Sequence, residues 1–324
     1  MTDRASWNVA SSVSNLSSFV AQDELADLVD HGEDIVVLTA DLATSNRLAE
    51  FAERHPDRFF NTGIAEQNMM SMAAGLAACG HQVFVSTFAS FASLLCAEHL
   101  RTDLAYTGLP VRVLATHAGI SMGFYGTSHH AVEDIAVTRA IAGLTVMAPC
   151  DAATTRACIR ASLEEPGPVY LRLGRGREPD VHGDDVVVQR GRFLTVRDGG
   201  DATVIATGIG VAQAAAAADR LATEGIGVRV LDAVSLKPLD TDAIEAAARQ
   251  TGRILTVEEH NVVGGLGSAV AETVALAGLT ARIDKLGLND EYALVAPPTH
   301  LWRHYGLSAD GIADRVRALV GGDR

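Results

Sequence analysis

The chain has 324 residues, 48% of them hydrophobic and 20% charged, with a formal net charge of −14. That charge argues against non-specific binding to nucleic acid or to anionic membranes, both of which need a basic face, and the length sets two globular domains as the expectation. No apolar run reaches ~18 residues and no signal peptide opens the chain, so neither a membrane span nor export is expected. Lysine occurs only at Lys237 and Lys285, so almost all positive charge is arginine. The four cysteines, Cys79, Cys96, Cys150 and Cys158, show no metal-like spacing and lie in apolar surroundings. They read as reduced core residues of a cytoplasmic protein.

In chain order, the first ~20 residues are polar and carry no clear periodicity. Short apolar runs at 34–40, 81–88, 110–117, 144–149 and 167–173 then read as buried strands, separated by Ala-rich stretches of helical length at 65–79, 89–107 and 151–165. This alternation predicts an α/β fold with a doubly wound parallel sheet. The stretch 174–190, rich in Gly, Pro and Asp, reads as a linker. A second series follows, with strands at 202–208, 227–233, 253–260 and 281–287 and helices near 211–223, 240–249, 266–277 and 308–320. It predicts a smaller α/β domain. The expected division is 1–176, a linker at 177–190, and 191–324.

The stretch NTGIAEQNMMSMAAGLAACG (61–80) holds one fully charged side chain, Glu66, at the head of a helix whose Met69, Met70, Met72, Ala73, Leu76 and Ala77 make most of its surface apolar. The helix is expected to be buried on more than one side. Two readings of Glu66 stand: a carboxylate favoured by the helix dipole, or a desolvated acid that exchanges a proton with a bound ligand. Phe88 and Phe91 are either core aromatics or a stacking pair. Asp41 and Leu42 end the first strand, where loops of a parallel sheet carry ligands, although Asp41 also suits a helix cap. His129 and His130 lie in a Gly/Ser/Thr loop and make poor metal ligands as adjacent residues. Glu258, Glu259 and His260 end a strand and read as a partner contact or a solvated loop.

The order and spacing of TADLATSN (39–46), NTGIAEQNMMSMAAGLA (61–77), STFASF (86–91), THAGISMGFYGTSHHAVEDIA (116–136), VMAPCD (146–151), LGRG (173–176), SLKPLD (235–240) and VEEHNVVGGLGSAV (257–270) resemble the transketolase family. The resemblance is to the separate C-terminal subunit of its split members. It implies a pyrimidine-binding domain for thiamine diphosphate followed by a transketolase C-terminal domain, and transfer of a two-carbon ketol unit from a ketose to an aldose. By resemblance Glu66 hydrogen-bonds N1′ of the cofactor's aminopyrimidine. A carboxyl there stabilises the tautomer whose own amino group deprotonates the reactive carbon, and a dry setting keeps that acid usable. Asp41, Leu42, Phe88 and Phe91 are implied beside the cofactor, with Phe91 stacking. His129 matches the catalytic histidine of the donor side. Ser45, His117, Tyr125 and Arg175 match sugar or phosphate contacts, although Arg175 reads equally well as a linker arginine.

Two features depart from the family. Phe124 and Tyr125 replace an acidic pair, and no arginine occurs in 5–46 to grip a sugar phosphate. Both point to a modified, unphosphorylated or otherwise charged ketose. The chain also lacks the Gly-Asp-Gly motif with a following asparagine that holds the diphosphate through Mg²⁺ (or Ca²⁺). Gly183-Asp184-Asp185 has no asparagine in range, and TGIGVAQ (207–213) is a partial glycine motif that more simply starts a helix. No residue of this chain is therefore assigned to a metal. The implied partner is an N-terminal transketolase subunit carrying that motif, in an α2β2 assembly. The alternatives are the β subunit of a 2-oxo acid dehydrogenase, a 1-deoxyxylulose-5-phosphate synthase, which has the diphosphate domain fused, and a non-catalytic ligand-binding relative.

Overall fold

The computed structural model describes residues 17–175 and 178–321. The polar start of the chain, and the junction at 176–177 where the expected domain boundary falls, lie outside the described residues. The first half contains β1 (Ile35–Thr39), β2 (Phe59–Asn61), β3 (Gln82–Phe88), β4 (Val111–Thr116), β5 (Thr145–Met147) and β6 (Val169–Arg172). The second contains β7 (Leu194–Arg197), β8 (Ala202–Ala206), β9 (Val228–Asp232), β10 (Ser235–Lys237), β11 (Arg253–Asn261) and β12 (Arg282–Leu288). Two mostly parallel sheets result, ordered β10-β5-β6-β4-β3-β1-β2 and β12-β11-β8-β9-β7. Every residue of β1 and β4 is buried, because helices cover both faces of a parallel sheet. Alternation divides each strand between the two cores. Ile35 and Val37 pack with Leu25, Phe51 and Ile159, while Val36 and Leu38 pack with Met69, Met70 and Ala73.

Several expectations need correction. β10 belongs to the second half of the chain, yet it pairs antiparallel with β5 and completes the first sheet. The helix expected at 89–107 is instead two π-helical stretches, Phe91–Leu95 and Leu100–Ala105, flanking a short α-turn at Ala97–His99. In helix Glu66–Ala78, Met69, Met70, Ala73 and Ala77 are buried, but Met72 is exposed, so only one side is covered in the isolated chain. Cys79 caps that helix at the surface and is exposed; the other three cysteines are buried. The linker is docked rather than loose: Asp151 Oδ2 accepts the backbone N–H groups of Val181 and His182 at 2.8 and 2.7 Å.

Glu258, Glu259 and His260 are not solvated; all three are buried within β11. The reason is local. Glu258 accepts the N–H groups of Leu266 (2.7 Å) and Gly267 (2.8 Å), satisfying the open N-terminus of helix Leu266–Leu276. Beside it, Arg172 at the end of β6 forms a buried ion pair with Asp134 at 2.8 Å, and the same guanidinium ties the two domains together by donating to the Glu259 carbonyl at 2.9 Å. Among the described residues no helix is long and apolar enough to cross a membrane.

Candidate active site

Since β1, β3 and β4 run parallel, their carboxyl ends open on one edge of the sheet, and the residues just beyond them meet there. Asp41 follows β1 with φ +60°, and His117 follows β4 with the same angle. Left-handed backbone is costly for non-glycine residues and here turns both side chains off the strand direction. Asp41 is exposed; its N–H donates to Asn61 Oδ1 at 3.0 Å, and Asn61 also accepts from Gly63 at 3.0 Å. That pair of bonds shapes the turn that delivers Glu66 to the start of its helix.

Glu66 is 7% exposed and, among the described residues, makes no hydrogen bond or ion pair. It lies close enough to Cys96 for its charge, after burial, to help push that thiol up to about 12. Gln67 donates to the Leu95 carbonyl at 3.2 Å and fixes the helix against the π-helical stretch that carries Phe91. Phe88 and Phe91 stack with ring centroids 5.7 Å apart. His117 lies 4.3 Å from the Phe88 ring, and His129 lies 5.9 Å from Phe88 and 5.4 Å from Phe91. Tyr125 is 5.0 Å from His129, and the Arg175 guanidinium sits 5.6 Å from the centre of the Phe124 ring. Phe88, Phe91, His117, Tyr125 and His129 thus form one continuous cluster, with Phe124 and Arg175 at its rim.

The turn Gly123–Tyr125 that presents the two aromatics needs its glycine. Gly123 has φ +52°, and a Cβ there would fall 2.5 Å from the Ala296 carbonyl. Phe124 and Tyr125 are left largely exposed. Deeper in, His117 Nδ1 is 2.9 Å from Thr116 Oγ1, which donates to Asn46 Oδ1 at 3.0 Å. With the threonine proton directed to Asn46, His117 donates from Nδ1 and leaves Nε2 as an acceptor. Burial, followed by the charges of Arg175 and His129, lowers the His117 pKa to about 4, so the ring is neutral at pH 7. Asn46 Nδ2 is buried and has no partner among the described residues, an orphan donor next to this network. Leu42 is half-buried on the same segment, whereas Ser45 is exposed and makes no hydrogen bond to a described residue. Asn46 and Thr116 did not stand out in the sequence, since a polar residue tucked behind a strand end has no periodic signature. The only sign of Asn46 was its place in the TADLATSN run.

A buried carboxylate without a partner among the described residues, paired phenyl rings and an unpaired amide donor are groups that suit a flat heteroaromatic ring with both hydrogen-bonding and apolar faces. These residues fit the aminopyrimidine half of thiamine diphosphate. No feature of the described residues matches the diphosphate half.

Comparison with known proteins follows the same division. Residues 17–179 match the family described as "Transketolase, pyrimidine binding domain", and residues 191–312 match "Transketolase, C-terminal domain". The chain is 41% identical over 299 residues to one of the subunits of the apulose-4-phosphate transketolase of Phocaeicola vulgatus, covering 92% of this chain and 95% of that protein. It is 36% identical over 290 residues to the 6-deoxy-6-sulfo-D-fructose transketolase subunit SqwH of a Clostridium species, covering 90% of each. Among solved structures, one described as a split gene transketolase, inactive beta4 tetramer, superposes with a TM-score of 0.86 at 41% identity, covering 95% of this chain and 99% of that one.

Proposed function

From the premise that the chain belongs to the transketolase family, we propose that it is the C-terminal subunit of a two-chain transketolase that moves a two-carbon ketol unit from a ketose to an aldose. One observation carries the reading: a buried Glu66 carboxylate, unpartnered among the described residues, heads a helix that Gln67 ties to the stretch carrying Phe91, whose ring stacks on Phe88 with two imidazoles alongside. Thiamine diphosphate, when bound, supplies the electron sink for carbon–carbon bond cleavage and formation. Glu66, buried at the head of its helix, is the group that holds a proton at N1′ of the pyrimidine. Phe88 and Phe91 exclude water, and Phe91 stacks on the ring. Asp41 and Leu42 border the same pocket. His129 hydrogen-bonds the reacting oxygen of the donor sugar. His117, neutral with Nε2 as acceptor, takes a hydrogen bond from substrate or cofactor.

Mg²⁺ (or Ca²⁺) and the diphosphate are held by a partner subunit carrying the Gly-Asp-Gly…Asn motif, in an α2β2 assembly. Three things support this. The motif does not occur in this sequence, relatives bear subunit names, and apolar side chains stand exposed around Glu66. Ile64 is 84% exposed, and Leu94, Leu95 and Met72 are also open to solvent. At the sugar end, Ser45, Tyr125 and Arg175 contact the substrate. Tyr125, in place of a carboxylate, suits a ketose other than an ordinary phosphosugar.

The test is ketol transfer by the purified chain mixed with its partner, thiamine diphosphate and Mg²⁺. Glu66→Gln should lower turnover by roughly 10²–10⁴-fold without loss of assembly. Undiminished turnover in that variant removes the acid–base role, and turnover by the wild-type chain unaided removes the two-subunit reading. A strong preference for phosphorylated over dephosphorylated acceptors would overturn the substrate assignment alone.

A further inference from the structure

Away from the pocket just described, three side chains distant in sequence converge where the two domains and the linker meet. Cys150 lies three residues beyond the end of β5, His182 is in the linker, and Asp232 ends β9. Their ligand atoms all lie within 4.8 Å of one another. Cys150 and Asp232 are fully buried, and the His182 side chain is 11% exposed. His182 Nε2 is 3.0 Å from Asp232 Oδ2. The second carboxylate oxygen, Oδ1, is buried with no hydrogen-bond partner among the described residues, an unusual cost for a fully buried carboxylate. Besides His182, the Cys150 thiol is the neighbour that turns toward this carboxylate. Both oxygens of Asp151 are already engaged, Oδ1 with Thr154 and Oδ2 with the Val181 and His182 N–H groups. Its part is to fix the backbone that presents His182.

We propose that Cys150, His182 and Asp232 bind one zinc-class divalent cation that clamps the linker to the ends of β5 and β9. The donor set is one thiolate, one imidazole and one carboxylate, the set that suits a borderline-soft ion in tetrahedral coordination. Zinc–ligand bonds of ~2.0–2.3 Å place ligand atoms roughly 3.4–3.6 Å apart. With His182 Nε2 at 3.0 Å from Asp232 Oδ2 and all three ligand atoms within 4.8 Å of one another, small rotations of the side chains reach that geometry. Charge closes as well. A dication with a thiolate and a carboxylate is neutral overall, which removes the penalty of an uncompensated buried charge. The fourth position faces out past His182, the one ligand with solvent exposure, and takes water. Spacing in the sequence hides this site because each ligand comes from a different segment.

The experiment is equilibrium dialysis of the full chain against zinc chloride after chelator treatment, with metal counted by mass spectrometry. A parallel titration uses cobalt chloride, read by its thiolate-to-metal charge-transfer band. Wild type should retain one equivalent of zinc, show the cobalt band, and unfold at a higher temperature with zinc than with chelator. His182→Gln and Cys150→Ser should each weaken zinc binding by about tenfold or more, and Cys150→Ser should abolish the band. His182→Gln keeps a hydrogen-bond donor for Asp232, and its unfolding midpoint in chelator separates ligand loss from misfolding; Asp185→Asn, outside the cluster, should change nothing. Absence of stoichiometric zinc in the wild type, or binding unchanged in both ligand variants, overturns the site and leaves His182–Asp232 as an ion pair only. The outcome does not depend on ketol transfer.

Discussion

His117 sits at φ +60°, a backbone angle that costs a residue with a Cβ roughly 1–2 kcal/mol. The return is position: the ring lies 4.3 Å from Phe88 with Nδ1 anchored on Thr116. Its pKa of about 4 predicts that the ring carbon proton, followed by NMR, titrates near pH 4 and stays flat around 6.5. The linked stability has a definite sign. The unfolded ring takes its proton near 6.5 and the folded ring near 4. Stability from this group is therefore complete above pH 6.5 and is lost as pH falls toward 4, by roughly 3 kcal/mol. His117→Asn should remove that slope in urea titrations. The ring cluster of Phe88, Phe91, His117 and His129 was legible only through the resemblance, and Glu66 drew notice through one physical oddity, a charge at the head of an apolar helix. The Asn46–Thr116 network behind them was not legible, because burial of a polar side chain depends on what the rest of the chain places over it.

Between elements, the buried pair Arg172–Asp134 and the neighbouring Glu259 hold β6 of one domain to β11 of the other. Arg172→Met should destabilise the protein by about 3–5 kcal/mol in urea unfolding, since it leaves the buried Asp134 without its ion-pair partner and with only the Tyr170 hydroxyl, at 3.3 Å, as a side-chain donor. Glu259 works in the opposite sense to His117. Burial raises its pKa from 4.5 to about 7, despite the opposing Trp302 hydrogen bond and Arg172 charge. Its contribution is complete below pH 4.5 and is lost as pH rises to 7, by roughly 3 kcal/mol. Glu259→Gln should therefore gain on wild type by about that amount across the window, and an unchanged difference would refute the assignment. The main strands and most helices followed from period and composition. β2, β7 and β10, each of three or four residues, are too short to show a period. β11 ends in Glu-Glu-His-Asn, which reads as solvated until the open helix N-terminus that Glu258 caps is placed next to it.

At the scale of the whole molecule, Ile64, two residues before Glu66, Met72 on the same helix, and Leu94 and Leu95 on the stretch that Gln67 binds are all exposed apolar side chains. Ile64→Asp and Leu95→Asp should each leave the unfolding midpoint of the isolated chain within about 0.5 kcal/mol of wild type. Each should weaken co-purification with the proposed partner severely; normal assembly in both would place that interface elsewhere. β10 carries a consequence for biosynthesis. During translation the β5 edge emerges well before the strand that covers it, a lag on the order of ten seconds at ordinary elongation rates. Throughout that interval the nascent chain presents an unpaired sheet margin, open to chaperones or to wrong partners. A stop codon anywhere between the two domains would make the exposure permanent, so the first domain should resist preparation as a separate soluble fragment.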